Sequence, residues 1–195
     1  MLLVDSREKP KAIKTILKQF EDAGVAYSVT KLFIGDYQDY AHPLLIVDRK
    51  QSIQELAANC TRDHERFKAE LERTKAVGAK LVILVEQNRY KDRERWISVE
   101  TVEDIMLWSS PHTTIRGEKV YRVLRAWMAK YDIDVRFCDK RQTGKKILEI
   151  IYGNEEKKLE KQNRERYKDT IIAIGYAERQ MADTLRNAGK VKVEL

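Results

Sequence analysis

The sequence predicts an α/β protein, a mixed central sheet flanked by helices on both faces, with a C-terminal helical extension. Short apolar runs read as strands: "LLVD" (2–5), "LLIVDRK" (44–50) and "KLVILVEQ" (80–87). Between and after them, apolar residues recur at helical spacing, so strands and helices alternate. Past Lys140 the composition turns sharply toward charge, which sets residues 141–195 apart from a core domain spanning 1–140.

The elements follow in order. After "LLVD", the segment "KPKAIKTILKQFEDAG" puts Ile13, Ile16, Leu17 and Phe20 on one helical face, and Gly24 suits its end. "VAYSVTKLF" alternates loosely and reads as a strand. The next strand is 44–50. Residues 52–79 read as one helix, with Ser52 as its N-cap, Gly78 as its stop, and Leu56, Phe67, Leu71 and Ala76 on the inner side. After strand 80–87 come two amphipathic helices, near 100–110 and 117–130; Val120, Leu124, Trp127 and Met128 form the stripe of the second. "DVRF" (134–137) is a last strand. "NEEKKLEKQNRERYKD" (154–169) reads as an exposed helix held by i,i+4 charge pairs. Apolar residues then return at helical spacing, and no internal repeat is present.

The chain has 195 residues, room for one ordinary domain or a domain plus a small appendage. Its net charge of +7 fits either a polyanion partner, usually nucleic acid, or a solvated Lys/Glu-rich surface. Two cysteines, Cys60 and Cys138, are too few for a disulfide framework or an all-cysteine zinc site, and a reducing cytoplasm fits them. Residues 1–20 are too charged for a signal peptide, and no apolar run is long enough for a membrane span.

The strand 44–50 is apolar until Asp48, Arg49 and Lys50 end it. If 31–40 and 44–50 form a hairpin turning at Ala41-His42-Pro43, a turn centred on His42 sets Asp36 opposite Asp48. Such cross-strand pairs hold their Cβ atoms roughly 4.5–5.5 Å apart. Alternation puts Lys50 on the face of Asp48. Two carboxylates that close repel unless a proton or cation sits between them, and a hard divalent ion such as Mg²⁺ resolves the conflict. Lys50 is then free to orient an attacking water. A register slip of one residue would separate these groups.

An Asp…(Asp/Glu)-x-Lys set across a hairpin resembles the restriction-endonuclease-like nucleases. Four further stretches narrow the resemblance: "VDSRE" (4–8), "GDY" (35–37), "TRDHERFKAEL" (61–71) and "LVILVEQ" (81–87), with "VDRKQSIQEL" (47–56) among them in order. Together they are similar to the XPF-type structure-specific endonucleases, whose core carries V-D-x-R-E, then G-D, then E-R-K-x-x-x-D. The similarity is close over 1–90 and looser over 90–140, and the compact size is like stand-alone versions from phages and mobile elements. Two positions depart from the pattern: Asp48 replaces the glutamate, and Gln54 replaces the last aspartate, with Glu55 next to it as a substitute. The tandem helix-hairpin-helix of the family is not apparent in 140–195.

The resemblance implies a phosphodiester hydrolase dependent on Mg²⁺ or Mn²⁺, cutting branched or junction DNA. Asp36 and Asp48 would be the main metal ligands, joined by Glu55, and Lys50 would handle the water. Asp5 and Glu8 would add negative charge that holds the metal. Arg7 and Arg49 would meet a phosphate, or pair with these acids and orient them. Arg62 and Arg66, four apart on one helix face, would contact the DNA backbone, or be solvated with Glu65 and Glu70 as partners. Glu86 would support the site from behind or be a plain strand-end charge. A homodimer is also implied.

Other features are read more plainly. His42 is a turn residue and His64 a helix-surface residue; Trp108 and Trp127 belong to the core; Trp96 lies in a charged loop, "RYKDRERWIS", that is either solvated or near DNA. Gly175 could be the turn of a helix-turn-helix, with Ile171 and Met181 inside and Arg179, Gln180 and Arg186 facing a groove; a dimerisation or packing role for the extension is the competing reading. Against the enzyme stands a non-catalytic DNA-binding subunit on the same fold, and a third option is a Holliday-junction or restriction-type nuclease. Retention of Asp36, Asp48 and Lys50 favours the enzyme over the non-catalytic subunit; cleavage-site mapping on forks, flaps and four-way junctions would distinguish the third option.

Overall fold

The computed structural model describes residues 1–153. The charged helix expected at 154–169 and the helix-turn-helix at Gly175 lie outside them, as does most of the 140–195 stretch in which no helix-hairpin-helix is apparent. Residues Met1–Ile151 form one compact unit; the second, Tyr152–Leu195, lies almost wholly outside the described residues.

The chain opens with β1 (Leu2–Asp5), α1 (Pro10–Asp22), β2 (Tyr27–Thr30), β3 (Tyr37–Asp39) and β4 (Leu45–Lys50). It continues with α2 (Ile53–Asn59), α3 (His64–Ala76), β5 (Lys80–Val85) and the pair β6 (Arg89–Asp92) and β7 (Arg95–Ser98). A 3-10 turn (Glu103–Leu107), α4 (Gly117–Tyr131) and β8 (Asp134–Phe137) follow, and residues 143–153 are helical. Six strands make one mixed sheet, as the alternation of elements predicts, and their order is β2-β1-β3-β4-β5-β8. Only β3 runs antiparallel to its neighbours β1 and β4.

Alternation along the strands divides the sheet into two faces. On one, Ile46, Leu81, Ile83 and Val85 join Leu56, Phe67, Leu71, Leu124 and Trp127 in the main core. On the other, Leu2, Val4, Tyr37, Val47, Val82 and Leu84 are buried, and Phe20 of α1 sets its ring edge-on to Tyr37 at 6.1 Å. α1 begins at Pro10 and ends where Gly24 takes φ +69°, as the sequence suggests. Ser52 caps α2 by accepting from Glu55 N at 3.2 Å.

Four expectations change. The helix over 52–79 is two helices. Thr61 turns its hydroxyl back to Ala57 O (2.7 Å) and Asp63 N bonds Ala58 O, so the chain redirects at 60–63 without a glycine or proline. Ala76 is consequently exposed, and Thr74 is buried in its stead. The hairpin's first strand is short: residues 31–36 are irregular and regular pairing starts at Tyr37. The 100–110 helix is a single 3-10 stretch. The stretch 89–98 is a β-hairpin, not a loop. His64 opens α3 and stacks on Trp127 at 5.2 Å between ring centres, and Trp108 and Trp127 are core residues as expected. Among the described residues, no helix is long and apolar enough to cross a membrane.

Candidate active site

The end of β4 and the chain entering β3 build the site. β3 and β4 pair Tyr37 with Val47 and Gln38 with Ile46, the register that the turn at His42 requires. Asp36 N donates to Val47 O (2.9 Å), one residue off the regular register that ends at Tyr37 and Val47, and the Asp36 carboxyl lies close enough to feel the charge of Asp48. Asp36 Oδ2 accepts from Arg49 N (2.7 Å), and Asp36 O accepts from Asp5 N (2.8 Å). Asp36 is thus fixed by backbone on both sides.

Gly35 explains the glycine before that aspartate. Its φ is +62°, and a Cβ there would collide with Ile46 Cγ2 and come within 3.1 Å of Val47 O. Its N–H donates to Glu70 Oε1 (3.1 Å). Gly35→Ala is expected to destabilise the protein by about 2 kcal/mol, from left-handed strain plus overpacking. A urea titration measures the loss, and an unchanged midpoint would contradict it.

Asp48 and Lys50 point to the face of α2 and α3, and both are buried. Lys50 Nζ lies 2.6 Å from Asp48 Oδ2 and 4.9 Å above the centre of the Phe67 ring. That Oδ2 contact is an ion pair without hydrogen-bond angles, and no other described group donates to the oxygen. Burial raises the Asp36 carboxyl well above its ordinary pKa; Asp48 and Glu8 add to this, and Lys50 and the Arg49 N–H oppose it. Burial pulls Lys50 downward, but Asp48 and Asp36 outweigh it and leave the ammonium pKa raised. The cluster is two carboxylates that resist sharing negative charge, relieved by one lysine.

Among the described residues, no three His, Cys, Asp or Glu side chains converge to cage a metal by themselves. Mg²⁺ rarely needs such a cage, because it binds through one or two carboxylates and completes its shell with waters and substrate phosphate oxygens. Asp36 and Asp48, with one oxygen free of hydrogen bonds, fit that demand. Glu55 is exposed; its carboxylate accepts from Gln51 N (2.8 Å), just ahead of the Ser52 cap of α2. It is close enough to Lys50 to help raise that lysine's pKa.

The other face of the β4 end holds a second charged group. Arg49 Nη1 donates to Glu86 Oε2 (2.9 Å) and Nη2 donates to Glu8. Burial lowers the Arg49 pKa, but Glu8 and then Glu86 leave it raised. Asp5 is fully buried and takes Arg7 N and the Arg7 guanidinium, which also reaches Leu32 O. Both arginines therefore pair with the acids. Arg62 does not share a helix with Arg66: it sits before α3 and pairs with Asp63. Arg66 is exposed on α3, beside a groove that Arg62, His64 and Lys119 also line. Glu65 binds His64 and Lys68 instead of these arginines.

The ERCC4 domain model matches residues 4–151. The chain belongs to the ERCC4 domain family. Its ERCC4 domain is similar in structure to XPF from Aeropyrum pernix, with a TM-score of 0.56 at 20% identity over 85% of this chain and 70% of that one. A second structure, XPF from Aeropyrum pernix in complex with DNA, matches with a TM-score of 0.55 at 22% identity, over 80% of this chain and 64% of that one. These identities establish a shared fold, in agreement with the XPF-type resemblance read from the motifs. No curated protein matches the chain.

The ERCC4 domain also uses residues that the motifs did not single out. Phe67 covers the ammonium of Lys50, and Glu70 tethers Gly35. Tyr37 buries its hydroxyl beside the Glu8–Arg49–Glu86 group, without a hydrogen-bond partner among the described residues, and burial, then Glu8, raises its pKa. Phe67 and Glu70 lie four and seven residues past Asp63 on the helix whose basic residues drew notice, so their helical spacing was the available signal.

Proposed function

We propose that this ERCC4 domain is a Mg²⁺- or Mn²⁺-dependent DNA endonuclease that hydrolyses phosphodiester bonds in branched or junction DNA. The observation that carries it is the placement of Asp36 and Asp48 side by side with the Lys50 ammonium against Asp48, at a strand end in a fold shared with XPF. Asp36 and Asp48 are the carboxylates that would hold the ion, and Glu55 would be a reserve ligand from the start of α2. When bound, a divalent ion supplies Lewis-acid stabilisation of the charge that develops on the phosphate.

The chain's own groups do the rest. Lys50, held by Asp48 and Phe67, donates a hydrogen bond that orients the water attacking phosphorus in line. The Glu8–Arg49–Glu86 pairing keeps the β4 end rigid, so that Asp36 and Asp48 stay at one separation. Asp5, locked by Arg7, fixes the backbone that receives Asp36. Arg66 on α3 offers a backbone contact to duplex DNA. Dimerisation, and DNA binding or dimer formation by residues 141–195, belong to the same proposal.

The test is cleavage of end-labelled fork, flap and linear DNA with Mg²⁺, with Mn²⁺ and with EDTA. Cutting near the branch with either metal, abolished by EDTA, is the expected result. DNA binding without cutting under all three conditions would instead make the chain a non-catalytic subunit on the same fold.

A further inference from the structure

The β6–β7 hairpin presents a surface that hydrolysis does not use. Its register pairs Tyr90 with Ile97 and Lys91 with Trp96. Alternation therefore sorts Tyr90 and Ile97 to one face, and Arg89, Lys91 and Trp96 to the other. The first face is the anchor: Tyr90 is buried in the main core and Ile97 packs against it. The second face is open. Trp96 is 64% exposed, whereas Trp108 and Trp127 are each 4% exposed. The Arg89 guanidinium carbon lies 5.1 Å from the centre of the Trp96 ring. With the anchor filled by Tyr90 and Ile97, Trp96 adds little to the core, and its ring is available to a ligand.

Beside it lies a groove of about 320 Å³, lined by Glu86, Arg89, Trp96, Asp139, Lys140 and Arg141 among others. Arg141 neutralises Asp139 at 2.7 Å and, with help from Arg89, holds its carboxyl below the usual range. Glu86 is itself paired with Arg49. The rim is thus cationic, through Arg89 and Lys140, and Lys91 sits across the hairpin from Trp96 on the same face. One buried carboxylate, Glu86, belongs both to this groove and to the strand end that carries Asp48 and Lys50.

We propose that Trp96 is a stacking platform for a base of an unpaired DNA strand, with Arg89, Lys91 and Lys140 holding the flanking phosphates. The inference rests on the reading of the chain as a nuclease of branched DNA. An exposed indole face accepts any base, because every base has a π face, and an arginine beside the ring strengthens the contact. Bases inside a duplex already stack on their neighbours, so the platform selects the single-stranded arm of a junction.

The test uses the full chain carrying Asp48→Asn, so that binding is read apart from cutting. Tryptophan emission is followed during titration with oligothymidylate, with a linear duplex of equal length and with a fork. Oligothymidylate and fork are expected to quench the emission. Adding Trp96→Ala should remove the quench and weaken oligothymidylate binding by roughly tenfold, the scale of one lost base–aromatic stack. Trp96→Phe should retain most of the affinity, and circular dichroism should show all variants folded. Unchanged oligothymidylate affinity in Trp96→Ala, or an equal loss on duplex and single strand, overturns the platform. A chain that cuts forks yet fails this test loses only the platform. A chain that shows the quench yet never cuts DNA keeps the platform and loses the nuclease reading.

Discussion

Asp48→Asn is expected to lower single-turnover cleavage of fork DNA in Mg²⁺ by about 10³-fold or more, because an ion at this site contributes several kcal/mol of charge stabilisation. Asparagine keeps the shape of Asp48 and removes its charge. The proposed ion then faces Asp36 alone, and the Lys50 ammonium, 2.6 Å away, loses its partner. Folding should change little, since the repulsion between Asp36 and Asp48 is relieved as the pair with Lys50 is lost. Lys50→Ala should lose activity through a different route. Both carboxylates remain to hold the ion, but nothing orients the water, and the expected loss is about 10²–10⁴-fold, in the range of a positioned proton-transfer group. DNA binding should survive both substitutions. Normal cutting by either variant would contradict the assignment of that residue, and normal cutting by both would move the site elsewhere.

Arg49→Met is expected to destabilise the domain by about 3–5 kcal/mol, the cost of breaking a buried ion pair from one side. Its guanidinium holds Glu8 and Glu86, and the side chains of Arg49 and Glu86 are 2% and 1% exposed. Removing it leaves two carboxylates beside Tyr37 with no cation between them. A domain of this size loses roughly 2–4 °C of Tm per kcal/mol, so a fall of about 10 °C is expected by calorimetry. The combined variant Glu8→Gln, Arg49→Met, Glu86→Gln should be less destabilised than Arg49→Met alone, because neutral amides need no counter-charge. Equal stability of Arg49→Met and wild type would show that the group contributes no net stability.

Much of the proposed site was legible because its signals are local. The turn residues Ala41-His42-Pro43 and the two-residue period of a strand set the pairing of 37 with 47, and Asp36 and Asp48 followed from that. α1 and β8 were equally plain, since one has a 3.6-residue stripe with a glycine end and the other a short alternating run.

What escaped the reading depends on partners remote in the chain. The break between α2 and α3 has no glycine or proline; it forms because Thr61 and Asp63 bond backward to the α2 backbone while Phe67 packs under Lys50. The β6–β7 hairpin lacks an Asn-Gly turn and places the non-glycine Arg93 at φ 52°, a strain offset by burying Tyr90 in the core with Ile97 packed against it. Nor does sequence say whether Arg49 meets a phosphate or an acid: Glu8 and Glu86 lie 41 and 37 residues away, and only the sheet brings them to it. The sequence by itself determined the alternation of elements, the hairpin register and the family, because periodicity and turn chemistry act over a few residues. The tertiary structure decided which charges pair, which helix breaks and which tryptophan stays in water, because burial and Coulomb attraction depend on distance in space.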